Sequence, residues 1–390
     1  MKKVLAIVLA MMLVLSAAAM AETVKIGVFE PASGDNGAGG KQEVLGIEYA
    51  NTLAPTVEIG GEEYKVELVI VDNQSQTDKA GSAAQTLVSE GVSIVLGSYG
   101  SGVSMAGGDV FAAAEIPAIG CSCTNPSVTL LCDYYWRVCF LDPFQGTVMA
   151  NFAKDEKNAA KAYVLTQLGD DYSTGLGFYF QQAFEALGGE VIAETFTEGT
   201  SDFTAFLTTA KNEGCDFMFA PSSTTSASLI IDQAASMNVA FPVTAGDTWE
   251  SSVILDAAKG TNLEVYCSTF FDENDESSTV AADFVSGFKG WLNENADKKT
   301  NNGGNDIVAA VSALGFDAYN VALEAIKAAG SADSKAIAAA LPGVSYDGVT
   351  GSISFDENGD ANKDMAYIKQ ANNETGAFDF IKTQSVADLG

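Results

Sequence analysis

What most limits the fold of this chain is a repeated alternation of short apolar runs and longer segments with helical spacing. Val24–Phe29 reads as a strand and Lys41–Leu53 as a helix; Lys65–Val71 and Lys79–Ser89 repeat the pair. The strand Ser93–Gly97, the helix Val103–Ala114 and the strand Ile116–Cys121 continue it. These strands are almost unbroken in Val, Ile and Leu, as expected where helices cover both faces of a sheet. Strand–helix–strand units of this kind predict a parallel sheet with right-handed crossovers, hence an α/β fold.

Aromatics interrupt the rhythm at Tyr134–Asp142, and it then restarts with a helix from Gln145. Strands at Ala162–Gln167, Val191–Thr195, Asp216–Ala220, Pro242–Ala245 and Glu264–Phe270 alternate with helices at Thr174–Leu187, Phe203–Asn212 and Ala227–Met237. The chain therefore carries two α/β units in tandem. Helices follow at Thr279–Asn293, Ile307–Ala329 and Ser334–Leu341. Ser352–Phe355, Ala366–Gln370 and Phe378–Lys382 alternate with period two, as antiparallel strands do.

The amino terminus is of another kind. Lys2 and Lys3, the apolar run Val4–Leu15 and the small-residue site Ala19-Met20-Ala21 have the layout of a secretory signal peptide. An uncleaved anchor is the competing reading, because Val4–Met20 is nearly long enough to span a bilayer. No Cys follows the run, so export without a lipid anchor is expected, to a periplasmic or other extracytoplasmic site. Cleavage after Ala21 takes 21 of 390 residues, leaving 369, enough for two ordinary domains. It leaves 18 basic against 51 acidic residues, a net −33. So acidic a chain repels phosphate backbones and anionic membranes, which argues against nucleic-acid binding. Histidine is absent, and with it the commonest general base and metal ligand.

Six cysteines, Cys121, Cys123, Cys132, Cys139, Cys215 and Cys267, read either as small buried residues or as one or two bridges among the first four. Cys121-Ser122-Cys123 lacks the two-residue spacing of a redox pair. Asp356-Glu357-Asn358-Gly359-Asp360 starts like a calcium loop but has no Glu at its twelfth position, so a turn between strands is expected there. No metal and no cofactor are assigned.

Ligands of open α/β sheets sit beyond the carboxyl ends of the strands. Four stretches fall there: Ser98–Gly102, Cys121–Pro126, Asp170–Ser173 and Gly246–Trp249. The first two bring hydroxyls next to helix starts, where free N–H groups and the helix dipole favour a carboxylate. Taken singly, Ser101 and Thr124 are better explained as caps or turn residues, and Asp247 as a cap. Together, hydroxyls from one unit and a carboxylate from the other suit an α-amino acid.

Val24-Lys25-Ile26-Gly27 with Ser33-Gly34, Asp72 with Ala80, the Gly97–Ser101 loop, Ser122-Cys123-Thr124-Asn125-Pro126, Asp171-Tyr172, Phe316-Asp317-Ala318-Tyr319 and Phe355-Asp356 with Gly359-Asp360 form a series in order and spacing. In these the chain resembles the periplasmic leucine/isoleucine/valine-binding proteins, the type I solute-binding proteins of ABC transporters, over nearly all its mature length. The resemblance implies a Venus-flytrap fold: two lobes, each a mostly parallel sheet flanked by helices, joined by three hinge crossovers. The corresponding division puts residues 22–141 and 272–349 in the first lobe and 142–271 and 350–390 in the second. It implies that Ser101, Ser122 and Thr124 hold the ligand carboxylate and help with its ammonium, that Asp247 faces the ammonium, and that Tyr172 closes over the ligand. Tyr99, Trp249 and Phe316 are expected in the side-chain pocket, core packing being the alternative for each. Ser222-Ser223-Thr224 stands where leucine-type proteins present a tyrosine, and Tyr99 where they have an aliphatic residue; both leave branched-chain preference open.

The function expected is capture of an amino acid, branched-chain or another neutral type, by a monomer that hands it to an ABC permease. A sensor subunit of the same fold is the alternative; it usually needs an anchor or an output domain. An enzyme is disfavoured: there is no histidine, no Gly-x-Ser-x-Gly elbow and no pair of carboxylates converging in the cleft loops.

Overall fold

Each α/β unit closes its own sheet in the computed structural model, which describes residues 23–275, 278–385 and 387. The predicted export segment, 1–21, lies outside the described residues. In the first unit, β1 (Thr23–Glu30), β2 (Thr56–Ile59), β3 (Glu62–Asp72), β4 (Ile94–Leu96), β5 (Ala118–Gly120) and β6 (Tyr135–Arg137) lie in the order β2-β3-β1-β4-β5-β6. All are parallel except β2, which folds back on β3. The helices α1 (Gly37–Leu53), α2 (Thr77–Glu90), α3 (Ser101–Ala113) and α4 (Ser127–Leu130) connect them. Two strands escape the periodicity argument. β2 is a short partner of β3, and β6 is the buried edge strand within the aromatic interruption, where Arg137 disguises a core position as a surface one.

The second unit contains α5 (Asp142–Asp155), β7 (Lys161–Gln167), α6 (Asp171–Ala186), β8 (Glu190–Phe196), α7 (Thr204–Asn212), β9 (Phe217–Phe219), α8 (Thr224–Ser236), β10 (Val243–Ala245), α9 (Ser252–Ala258) and β11 (Val265–Thr269). The chain then returns to the first unit through α10 (Thr279–Glu294), α11 (Ala296–Asn301), α12 (Ala310–Ala329) and α13 (Ser334–Ala340). The hairpin β12 (Ser345–Gly348) and β13 (Gly351–Ser354) hangs from α12, where the Asp317 carboxylate accepts from the N–H groups of Val349 and Thr350, both at 2.8 Å. It straddles residues 349 and 350, where the sequence division changes lobe. Finally β14 (Met365–Ala371) and β15 (Phe378–Ser385) complete the second sheet, ordered β15-β14-β11-β10-β9-β7-β8. They run antiparallel, as their period-two pattern predicts, and the other five strands are parallel.

The fold is thus a two-domain α/β structure of mostly parallel, helix-flanked sheets, and the chain passes between the sheets after β6, after β11 and after β13. α1 and α12 pack backbone to backbone, because a Cβ at Gly46 would overlap the Ser312 carbonyl and one at Gly315 the Glu43 carbonyl. That approach presses the polar side of α1 into the interior. Asp356–Asp360 is a turn in which Asp356 Oδ1 accepts from the N–H groups of Asn358 and Asp360, with Gly359 at φ 87°. All six cysteines are free and buried, so the alternative of bridges among the first four is overturned.

Candidate functional site

The carboxyl ends of β4, β5, β7, β9 and β10 point their loops into the space between the two sheets. From the first domain come Tyr99, Ser101, Ser122 and Thr124, each under 5 % exposed. Ser101 opens α3, and its Oγ accepts from the Asn125 N–H at 3.1 Å, which pins the second loop to the first. Thr124 sits opposite Asp142, at the start of α5; burial pushes that carboxyl up to about 8, against the pull of the Thr124 hydroxyl.

From the second domain come Tyr172, Ser223, Asp247 and Thr248. Asp170 caps α6, accepting from the N–H groups of Tyr172 and Ser173, and so presents Tyr172 to the cleft. Asp247 Oδ1 accepts from Gln145 Nε2 at 2.9 Å and from the Tyr172 hydroxyl at 3.1 Å. Burial lifts its pKa to about 7, and the nearby Glu250 charge adds to the rise. Its partners are neutral donors. Ser223 caps α8 through the Ser226 N–H, 3.3 Å away.

Ser101, Ser122, Tyr99, Tyr172, Ser223 and Asp247 surround one small inner pocket of about 20 Å³. It adjoins an outer chamber of about 410 Å³ bounded by Asp35, Asp78, Asp170, Asp171 and Glu198. Three expected residues line neither space, and one of them, Thr124, is fully buried opposite Asp142. Trp249 is fully buried in the second-domain core, and Phe316 packs on α12 with its ring 4.9 Å from that of Phe284 and 6.0 Å from that of Tyr49. Trp249 and Phe316 take the core-packing alternative.

Sequence reasoning missed a polar layer behind the pocket. Ser122 Oγ donates to Glu43, and the Tyr99 N–H donates to Glu30 Oε2 at 2.7 Å. Both carboxyls are fully buried, and burial holds them above their usual range with Glu30 and Glu43 hydrogen-bonded to each other. A pair of this kind shares a proton. With Cys121 it is the one group among the described residues close enough to bind a metal, its ligand atoms within 4.8 Å of one another. Burial keeps that thiol protonated, which fits a hydrogen-bonded wall better than a metal centre. Gln145 was missed as well; nothing in its surroundings in sequence marks it. Behind Thr124, fully buried Arg137 donates to the carbonyls of Cys123 and Asn125 at 2.7 Å each and to Thr129 Oγ1 at 2.6 Å, while its Nε meets Asp360 Oδ1 at 2.5 Å.

This arrangement, two parallel-sheet domains around an interdomain pocket, agrees with a family match: residues 23–376 fit the model described as periplasmic binding protein. The chain belongs to that family. Its fold superposes on a leucine-binding protein of Thermotoga maritima with a TM-score of 0.83 and 32% identity, covering 94% of this chain and 99% of the other. It is similar to a branched-chain amino acid transporter substrate-binding protein of Streptococcus pneumoniae, solved in complex with isoleucine, with a TM-score of 0.81, 29% identity and coverage of 94% and 99%. It is 28% identical over 346 residues to a Leu/Ile/Val-binding protein homolog of Brucella abortus, covering 86% of this chain and 87% of the relative. No helix among the described residues of this family member is long and apolar enough to cross a membrane.

Proposed function

We propose that this chain is an extracytoplasmic, non-catalytic solute-binding protein that captures an amino acid in the interdomain cleft and delivers it, as a monomer, to an ABC permease. In this reading Ser101, Ser122 and Thr124 receive the ligand carboxylate, Asp247 receives its ammonium, and Tyr172 closes over it. The lobes are residues 22–141 with 272–349 and residues 142–271 with 350–390, and capture is their closure about the three crossings. The observation that carries the reading is Asp247, a buried carboxylate 2 % exposed, held by neutral donors and facing hydroxyls of the other domain. Such a group is costly to bury unless a cation arrives to meet it.

The test is thermal melting of residues 22–390, freed of bound ligand, against the common amino acids, simple carboxylates and amides. A ligand that binds only the folded state raises the melting temperature by mass action. At least one amino acid is expected to do so, and to be recovered chemically unchanged. A response to none of them would remove the α-amino acid reading and the role given to Asp247.

A further inference from the structure

No aliphatic side chain borders the inner pocket; it is walled by hydroxyls, carboxylates, Asn36, Gly100 and the two tyrosines Tyr99 and Tyr172. Tyr99 forms one wall of this pocket, and it is held from three sides. Its N–H is bonded to Glu30, its ring lies against Gly39, where an added Cβ would overlap it, and its hydroxyl is 3.5 Å from the Thr248 carbonyl across the cleft. The remaining space of about 20 Å³ is room for about one water molecule. That is too little for any amino acid, so a ligand enters by widening this space toward the outer chamber, and what selects its side chain is the polarity of the lining.

The inner pocket and the outer chamber share Asn36, Gly100, Ser101, Asp170 and Ser223, so the way out of one is the way into the other. An amino acid with its ammonium on Asp247 and its carboxylate on the Ser101 hydroxyl, whose proton is free because its Oγ only accepts from Asn125, can extend its side chain only in that direction. The chamber offers Asn36, Ser75, Gln76, Thr77, Gln167 and five carboxylates, with Val103 its one aliphatic lining residue. An apolar side chain placed there would strip water from polar groups without replacing their hydrogen bonds. A side chain with donors of its own would pair with them, and a site built to hydrogen-bond a ligand rejects analogues lacking that group.

We propose that Tyr99 determines the specificity of this site by walling the inner pocket, so that the ligand is an amino acid whose polar side chain lodges in the outer chamber. The proposal rests on the reading of the cleft as an α-amino acid site. The competing account is that Tyr99 swings aside for an aliphatic ligand, giving up its contacts with Gly39 and Thr248.

Melting and titration calorimetry of the mature chain with L-serine, L-asparagine, L-glutamine and L-lysine, set against L-leucine, L-isoleucine and L-valine, decide between them. For the unmodified protein, at least one polar amino acid should bind tenfold or more tightly than any branched one. Tyr99→Leu should narrow or reverse that ratio by tenfold or more, while Tyr99→Phe, which keeps the ring, should preserve it. If Tyr99→Leu does not fold, the ranking by the unmodified protein and by Tyr99→Phe still decides. Equal or tighter binding of a branched amino acid by the unmodified protein overturns the proposal, as does a polar preference that Tyr99→Leu leaves unchanged. Binding of no amino acid by any variant overturns the α-amino acid reading itself, a failure distinguishable from the loss of selectivity alone.

Discussion

Asp247 and Glu250 lie three residues apart, and both are buried, yet their surroundings are opposite. Glu250 Oε1 meets Lys369 Nζ at 2.5 Å, and its Oε2 accepts from Thr269 Oγ1 at 2.6 Å and the Ala310 N–H at 3.0 Å. Lys369, 2 % exposed, also lies 3.2 Å from Asp272. Asp247 is met by an amide, a phenol and its own backbone N–H, all neutral. A carboxylate supplied with its own cation is a structural strut that ties β14 to the end of β10. One supplied with neutral donors is oriented and left to find its cation elsewhere. The contrast separates architecture from binding within a single loop.

Replacing Lys369 by Met should have the largest effect. It strands Glu250 and Asp272 in the interior, and breaking a buried pair in this way costs about 3–5 kcal/mol of stability, to be read from urea unfolding. A small loss would erase the distinction. Asp247→Ala should weaken ligand binding by about 2–5 kcal/mol in calorimetry while leaving the ligand-free fold as stable as before, or more so.

The acidity of Asp247 sharpens the same contrast. Its native pKa of about 7 lies above the roughly 3.9 of an unfolded aspartate, so between those values the native state holds a proton that the unfolded chain has released. Native stability is therefore greatest at low pH in this window and falls as pH rises through it. The ligand-free melting temperature should be lower at pH 8 than at pH 5, and Asp247→Asn should flatten part of that fall. Phe316→Leu should do least: about 1 kcal/mol of stability lost on α12 and no change in affinity, since its ring is remote from the cleft.

Much of the fold was legible because period and punctuation act locally: runs of Val and Ile such as Ile94–Leu96 have few other uses, and Gly91 and Gly330 end α2 and α12 in the left-handed conformation. The loops beyond the strands were legible from the strand ends they follow, and the structure brings four residues of those loops, Ser101, Ser122, Tyr172 and Asp247, around one pocket. Direction was not. Trp249 follows Asp247 by two residues, and nothing in that spacing says which of them faces the cleft and which the core. Glu43 was unreadable for another reason. It looks like the polar face of an amphipathic helix, and it is buried only because Gly46 and Gly315 let a distant helix cover it.

Arg137 reaches from the last strand of the first sheet to both the Thr124 loop and Asp360, on the third crossing. In mechanical language, the joint and the seat are keyed to one shaft. One guanidinium is bonded at both ends, so the loop that carries Thr124 and the third crossing share a single side chain.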